Sequence, residues 1–174
     1  MFYKINTFQE TKPTHSLSLS GLIKDLNSGI YLNISQAIFD IEFLSNADQA
    51  SLADSNKSKT AAKAGLICLN KLGDVHHIKK LIRIMQFSAA ELIVPELLES
   101  AKKGVQTLSA YGYFSDAFDL LEIYQLPADI LKETHFQENA FLGLAAVNHK
   151  RVNNKLIAIK TIIKKYNLPQ ITKT

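Results

Sequence analysis

The clearest pattern along this chain is an apolar stripe near its C-terminal end. Apolar residues recur there at steps of four, three, four and three, at Val152, Leu156, Ile159, Ile163 and Tyr166. This spacing places them on one face of an α-helix, while the lysines of the same stretch lie off that face. The pattern predicts a helix that buries one side and exposes the other to solvent.

The seven glycines indicate that such helices belong to a repeated unit. Four of them begin similar segments, and the other three each follow one of these by eight residues. The first set is Gly21, Gly65, Gly104 and Gly143, and the second set is Gly29, Gly73 and Gly112. Spacings of 44, 39 and 39 residues within the first set are typical of arrays of helical hairpins. In the last segment, Arg151 takes the place of the second glycine.

The two glycine sets predict different local structures. A glycine of the second set lies where one apolar pattern ends and another begins, so we expect it to end a helix in the left-handed conformation. A glycine of the first set lies inside a helix, where it costs about 1 kcal/mol relative to alanine. We expect it to allow the close approach of a neighbouring helix. The sequence Ser88 to Glu91 predicts a capping box, and Pro95 and Pro127 fit the first turn of a helix.

These signals predict an all-α fold, an α-solenoid of about four stacked helix-turn-helix repeats in a single domain over residues 1–174. Each unit contains a helix A, a turn and a helix B. The predicted units are 17–44, 61–94, 95–133 and 135–169. The polar stretch 45–60 is predicted to be an extended loop.

Two stretches resemble known helical repeats. Leu108–Leu121 is similar to the turn and second helix of tetratricopeptide and pentatricopeptide repeats, and Leu72–Val75, followed by Ile78, Leu81 and Ile82, resembles part of an ankyrin repeat. The resemblance implies a solenoid architecture and the usual role of such arrays as binding scaffolds. It assigns no individual functional residue.

The amino-acid composition predicts a globular protein with a hydrophobic core and without an intramolecular disulfide or a membrane span. The chain is 47% hydrophobic over 174 residues, which is enough to build a core. The single cysteine, Cys68, cannot form an intramolecular disulfide, so we expect a reducing, cytoplasmic compartment. No apolar run reaches the roughly 18 residues that a membrane span needs, and the N-terminus lacks the pattern of a signal peptide.

The spacing of histidine and acidic residues does not indicate a catalytic or metal-binding site. His76 and His77 are adjacent on a predicted helix, so their side chains do not point towards one ion. Asp116, Asp119 and Glu122 share a helix face, which is typical of a solvated acidic surface. We therefore expect no catalytic, metal-binding or cofactor-binding site.

Charge is segregated along the chain, whose net charge is +4. Residues 104–140 carry one basic and six acidic side chains, whereas residues 141–174 carry seven basic and no acidic ones. Such a pattern fits a surface that recognises a partner of complementary charge. It equally fits attraction between adjacent units of the array.

The leading functional hypothesis is a protein-interaction scaffold that binds a peptide or partner helix on the repeat surface. Its candidate contacts are Gln106, Ser109, Tyr111 and Tyr113, whose side chains could supply anchors and hydrogen bonds. The alternative is RNA binding by the basic C-terminal helix. Its candidate contacts are Lys150, Arg151, Lys155, Lys160, Lys164 and Lys165. A third hypothesis places that helix on a membrane surface, and the oligomeric state stays open.

Overall fold

The structure is a computed structural model that describes residues 18–149 and 155–169, and every regular element in these ranges is helical. The α-helices are α1 (Leu19–Leu26), α2 (Tyr31–Glu42), α3 (Asn46–Asp54), α4 (Asn56–Leu72), α5 (Val75–Ile84), α6 (Ala89–Leu92), α7 (Pro95–Ala110), α8 (Phe114–Ile123), α9 (Thr134–His149) and α10 (Lys155–Tyr166). A 3-10 helix spans Ala128–Lys132. The predicted all-α class is confirmed.

Four helices pack side by side in chain order. Helix α4 contacts both α1 and α7, and α7 in turn contacts α9. We call these four helices the A layer. Helices α2, α5 and α8 form a B layer, in which α5 contacts both of the others, and each B helix also packs on the A helix before it. One hydrophobic core extends between the layers, from Leu22 in α1 to Leu168 after α10.

Glycines inside the A helices permit close backbone contacts between neighbouring helices. Each contact joins a glycine to the carbonyl oxygen of a residue near the C-terminal end of the preceding A helix. The pairs are Gly65 with Leu26, Gly104 with Asn70 and Gly143 with Ser109. A β-carbon at Gly65 would lie 3.1 Å from that oxygen, and one at Gly104 or Gly143 would overlap it. The predicted close approach is therefore confirmed at three of the four positions.

Three A helices are followed by the predicted left-handed glycine. Gly29, Gly73 and Gly112 have φ values of 69°, 73° and 78°. These three glycines therefore adopt the left-handed conformation predicted for the second glycine set. Glycine is favoured there because a β-carbon would make this conformation costly.

The ends of helices α5, α8 and α10 also share one geometry. Each is followed by a non-glycine residue with φ near 50°, and the next residue is apolar and buried. In the first case the Phe87 N–H donates to the Ile82 carbonyl at 3.1 Å, and equivalent bonds follow the other two helices. The left-handed residues are Gln86, Gln125 and Asn167. The segments 85–88, 124–127 and 166–169, which are similar in sequence, therefore fold alike.

The predicted loop at 45–60 is wrong. This stretch contains the whole of α3 and the first turn of α4. Ser45 and Ser55 accept hydrogen bonds from the backbone N–H groups of Asp48 and Ser58, and these N-caps begin the two helices. Only Leu52 and Ala53 of α3 are buried, so its mostly polar sequence reflects exposure to solvent rather than a lack of structure.

The predicted capping box at the start of α6 is confirmed. The Glu91 carboxylate accepts from the backbone N–H of Ser88 at 2.8 Å and from its hydroxyl at 2.7 Å. The Lys59 ammonium of α4 donates to the other carboxylate oxygen at 2.7 Å. The bonds from Lys59 and Ser88 lower the pKa of Glu91 to about 2.

We expect Glu91→Gln to lower the free energy of unfolding by about 1 kcal/mol at pH 7, because it removes the ion pair and weakens the cap. The folded-state pKa lies below the ordinary 4.5, so this stabilisation is present above pH 4.5 and is lost as the pH falls towards 2. Urea unfolding of both proteins at pH 7 and pH 3 measures the effect. A stability difference that is equal at both pH values would contradict the assignment.

Candidate partner-binding face

Two depressions follow one another along the outward side of α4, the first against α1 and the second against the α1–α2 turn and the start of α2. The surface that they form together is here called the α1–α4 groove. It contains two cavities, of about 390 Å³ and 410 Å³. The first is lined by Ile23, Lys24 and Asn27 on the α1 side and by Lys57, Thr60 and Ala61 of α4. The second is lined by Tyr31 of α2 and by Ala64, Ile67, Cys68, Lys71 and Leu72 of α4. Together they extend along nearly the whole length of α4.

The groove follows from the amphipathic character of α4. Leu66 and Leu69 are fully buried, whereas Ile67 and Cys68 are only partly buried because they lie on the outward side of the helix. The Cys68 thiol donates a hydrogen bond to the Gly29 carbonyl at 3.4 Å, and burial raises its pKa. A protonated thiol of this kind is a poor nucleophile, so we interpret Cys68 as part of the groove wall.

Tyr31 is held in place at one end of the groove. Its hydroxyl donates to Asp74 Oδ2 at 2.8 Å, and His77 Nδ1 lies 2.7 Å from the same oxygen. Burial acts to raise the pKa of Asp74, but hydrogen bonds from the His77 N–H, Tyr31 and the His77 ring lower it overall. The charged carboxylate therefore connects the start of α2 to the start of α5 and fixes the tyrosine ring beside the groove.

Positive charge in the groove has no partner within the described part of the chain. Across residues 18–149 and 155–169, no carboxylate lies within ion-pair distance of Lys24, Lys57 or Lys71. None of the residues that line the two cavities is acidic. Ion pairs among the described residues therefore leave these three lysines unneutralised, and Asp74, bonded to Tyr31, carries negative charge beside the second cavity.

The B layer differs, because its lysines and its arginine are all paired with carboxylates. Glu42 of α2 accepts from Lys80 at 2.8 Å and from Arg83 at 2.9 Å, both in α5. Lys79 of α5 pairs with Asp119 of α8 at 2.6 Å. Ion pairs thus connect α5 to both of its neighbours in the B layer.

The structure separates the four residues predicted to contact a partner. Tyr111 and Tyr113 lie at the turn between α7 and α8 and are 64% and 50% exposed, and Gln106 is half-buried on α7. The prediction for Ser109 is wrong, because this residue is fully buried. Its hydroxyl donates to the Val105 carbonyl and lies 2.6 Å from the Tyr166 hydroxyl. Burial raises the pKa of Tyr166 to about 12.

The sequence contained a signal for the burial of Ser109. Counted from the first glycine of each unit, Ser109 occupies the same position as Leu26 and Asn70, and all three are fully buried. Asn70 donates to the Ser100 hydroxyl at 2.9 Å inside the core. The leucine at this position in the first segment indicates that the position lies in the core. Asn70 and Ser109, at the same position in the next two segments, therefore form buried hydrogen bonds and do not contribute to a binding surface.

The basic patch predicted for RNA is described only in part. Lys160, Lys164 and Lys165 of α10 are exposed, and the Lys165 ammonium lies 3.7 Å from the centre of the Phe118 ring. This cation–π contact uses one lysine of the patch to connect α10 to α8. Lys150 and Arg151 lie outside the described residues, as does the side chain of Lys155.

Exposed apolar side chains form a second surface feature, on the outer face of α2. Leu32 and Phe43 are largely exposed, and the Phe39 ring packs against the Phe43 ring at a tilt of 55°, with ring centres 4.6 Å apart. This face lies on the B layer, and its members are neither charged nor arranged around a cavity. We therefore do not assign it to the groove.

The described residues form neither a metal site nor a membrane-spanning helix. Within residues 18–149 and 155–169, no three His, Cys, Asp or Glu side chains converge on a point that could hold a metal ion. In the same ranges, the helices are too short or too polar to cross a bilayer.

No protein-family model matches the chain, and no curated protein or solved structure shows detectable similarity to it.

Proposed function

We propose that the chain is an α-solenoid interaction scaffold whose α1–α4 groove binds a peptide segment or helix of a partner protein. The chain-order packing of the A helices supports the solenoid, as does the recurrence of one glycine–carbonyl contact at three successive helix pairs. Helical arrays of this kind expose a long continuous face on one layer, which is suited to elongated ligands.

The groove itself is the observation that carries the proposal. Lys57 and Lys71, at its two ends, are fourteen residues apart on α4, or roughly 21 Å along the helix axis at 1.5 Å per residue. That length accommodates about six residues of extended peptide or about four turns of helix. Apolar side chains such as Ile23 and Ile67 line the groove beside polar ones, a mixture that is typical of peptide-binding surfaces.

RNA binding has weaker support. Sequence-specific recognition of single-stranded RNA usually relies on aromatic or arginine side chains on which bases stack. Tyr31 is the aromatic residue among those lining the two cavities, and no arginine lines either of them. We therefore favour a protein ligand.

Filling the groove tests the proposal. Ala64→Trp places an indole in the second cavity, and we expect peptides selected against the wild-type protein from a random display library to bind this variant at least about tenfold more weakly. Ala90→Trp is the matched control, because Ala90 is exposed on α6, away from the groove. Affinities come from fluorescence anisotropy, and circular dichroism verifies that both variants keep their helicity. Selected peptides that bind Ala64→Trp as tightly as wild type would rule out the groove.

A further inference from the structure

We propose that the segment bound in the α1–α4 groove is acidic, with carboxylates towards both ends of a short stretch and an aliphatic side chain between them. This inference rests on the proposed function and names the chemistry of its ligand. It is carried by the placement of three lysines around an apolar groove.

The lysines surround the groove on both sides. Lys57 and Lys24 face each other across the first cavity, from α4 and α1 respectively. Lys71 lies at the second cavity, close enough to Cys68 for its charge to act on the thiol. A ligand that runs the length of the groove therefore meets positive charge near each of its ends.

The charge of the groove differs in kind from that of the B layer. Basic residues of α5 are paired with Glu42 and Asp119, so they need no external partner. Within the described part of the chain, the three groove lysines have no such carboxylate. Lys24 and Lys57 line the same cavity and repel one another, and a bound carboxylate would relieve that repulsion.

Apolar lining between the charges favours a protein segment over a nucleic acid. Ile67 and Ala64 face the second cavity, and Ile23 and Ala61 face the first. Such walls stabilise a bound ligand by burying aliphatic side chains, which a nucleic acid does not carry. In an extended peptide, two residues that are six apart are separated by about 20 Å, which matches the distance between the ends of the groove.

The geometry therefore defines a ligand pattern of seven residues. Asp or Glu occupies the first and last positions, and Leu, Ile or Val occupies the middle position and enters the groove beside Ala64, which lies midway between Lys57 and Lys71. Charge complementarity of this kind sets specificity and the rate of association.

Three pools of fluorescein-labelled peptides test the inference. All share the central aliphatic residue and random intervening positions, and their end positions are Asp/Glu, Asn/Gln or Lys/Arg. A twelve-residue oligouridylate is the fourth probe. We expect the acidic pool to bind wild type at least about tenfold more tightly than the Asn/Gln pool, with an affinity that falls between 50 mM and 200 mM salt.

A charge-reversal variant identifies the surface. In Lys24→Glu/Lys57→Glu/Lys71→Glu, we expect the acidic pool to bind at least about tenfold more weakly and the Lys/Arg pool to bind more tightly than it binds wild type. The gain for the basic pool excludes misfolding as the cause of the loss. The matched control, Lys103→Glu/Lys160→Glu/Lys164→Glu, makes the same charge change at exposed lysines of α7 and α10 that line neither cavity and form no ion pair among the described residues, and it should bind like wild type.

Three results would overturn the inference. The first is equal binding of the Asn/Gln and acidic pools to wild type. The second is binding of the acidic pool that survives charge reversal in the groove. The third is oligouridylate binding that is lost on charge reversal, which would assign the groove to nucleic acid. If Ala64→Trp still weakens binding of the selected peptides, the first two results leave the proposed function intact. An Ala64→Trp variant that binds them normally refutes the function itself.

Discussion

Replacing Gly104 with alanine is expected to lower the free energy of unfolding by about 3 kcal/mol. In an unobstructed helix the change would be favourable by about 1 kcal/mol. In α7, however, the new β-carbon would overlap the Asn70 carbonyl oxygen and lie 2.8 Å from a methyl group of Leu120. Helix α7 would have to move away from α4, and overpacking of this kind costs typically 1–3 kcal/mol and sometimes more.

Two other glycines provide graded controls. A β-carbon at Gly65 would lie 3.1 Å from the Leu26 carbonyl oxygen, so we expect a smaller loss. At Gly21 the nearest atom is the Ser18 hydroxyl oxygen at 3.1 Å, which belongs to the N-cap of the same helix, so the change should be close to neutral. Denaturant unfolding followed at 222 nm measures all three variants. A Gly104→Ala protein as stable as Gly21→Ala would contradict the packing argument.

Tyr166→Ala is expected to destabilise the C-terminal end of the structure by about 3–5 kcal/mol. The side chain is fully buried, and its ring contacts those of Phe114 and Phe118 at centre-to-centre distances of 5.8 Å and 6.2 Å. Its backbone carbonyl accepts a hydrogen bond from Gln137 of α9 at 3.0 Å. Because these contacts connect α10 to α8 and α9, removing the ring should release α10 before the rest of the molecule unfolds.

Hydrogen exchange measured by mass spectrometry reports this release directly. Amides of α10 should lose protection in Tyr166→Ala, while those of α4 keep it. Tyr166→Phe is the control, since it removes only the hydroxyl that lies 2.6 Å from Ser109 and should cost about 1 kcal/mol. Uniform loss of protection along the whole chain would show instead that the molecule unfolds as a single unit.

The order of helices and turns could largely be predicted from the sequence, because glycines occupy specific positions in them. Gly73 and Gly112 adopt positive φ values at the ends of A helices, and Gly104 and Gly143 lie where a neighbouring helix approaches closely. The spacing of these glycines in the sequence therefore predicted the positions of the A helices and of the turns that follow them. The short helix α3 was not predicted, because its sequence contains no such signal. With Leu52 and Ala53 as its buried residues, it leaves no apolar periodicity in the sequence.

The candidate site was harder to predict from the sequence. Lys24 and Lys57 are distant in sequence and face each other because α1 packs against α4, a relation that no local pattern encodes. Ser109 was misplaced because its polar side chain suggested exposure, although Leu26 at the equivalent position indicated the core. Local patterns identify the faces of single helices, whereas the groove arises between two of them.

The glycine–carbonyl contacts also affect how this protein can diverge. They join backbone atoms to backbone atoms, at Gly104 with Asn70 and at Gly143 with Ser109, so the close approach of neighbouring A helices at these points does not depend on their outward-facing side chains. Substitutions on the outward positions of α4 and α7 can therefore accumulate without altering this close approach. Ligand preference and architecture are thus encoded by separate sets of residues, and an engineer could redesign the groove while keeping the glycines fixed.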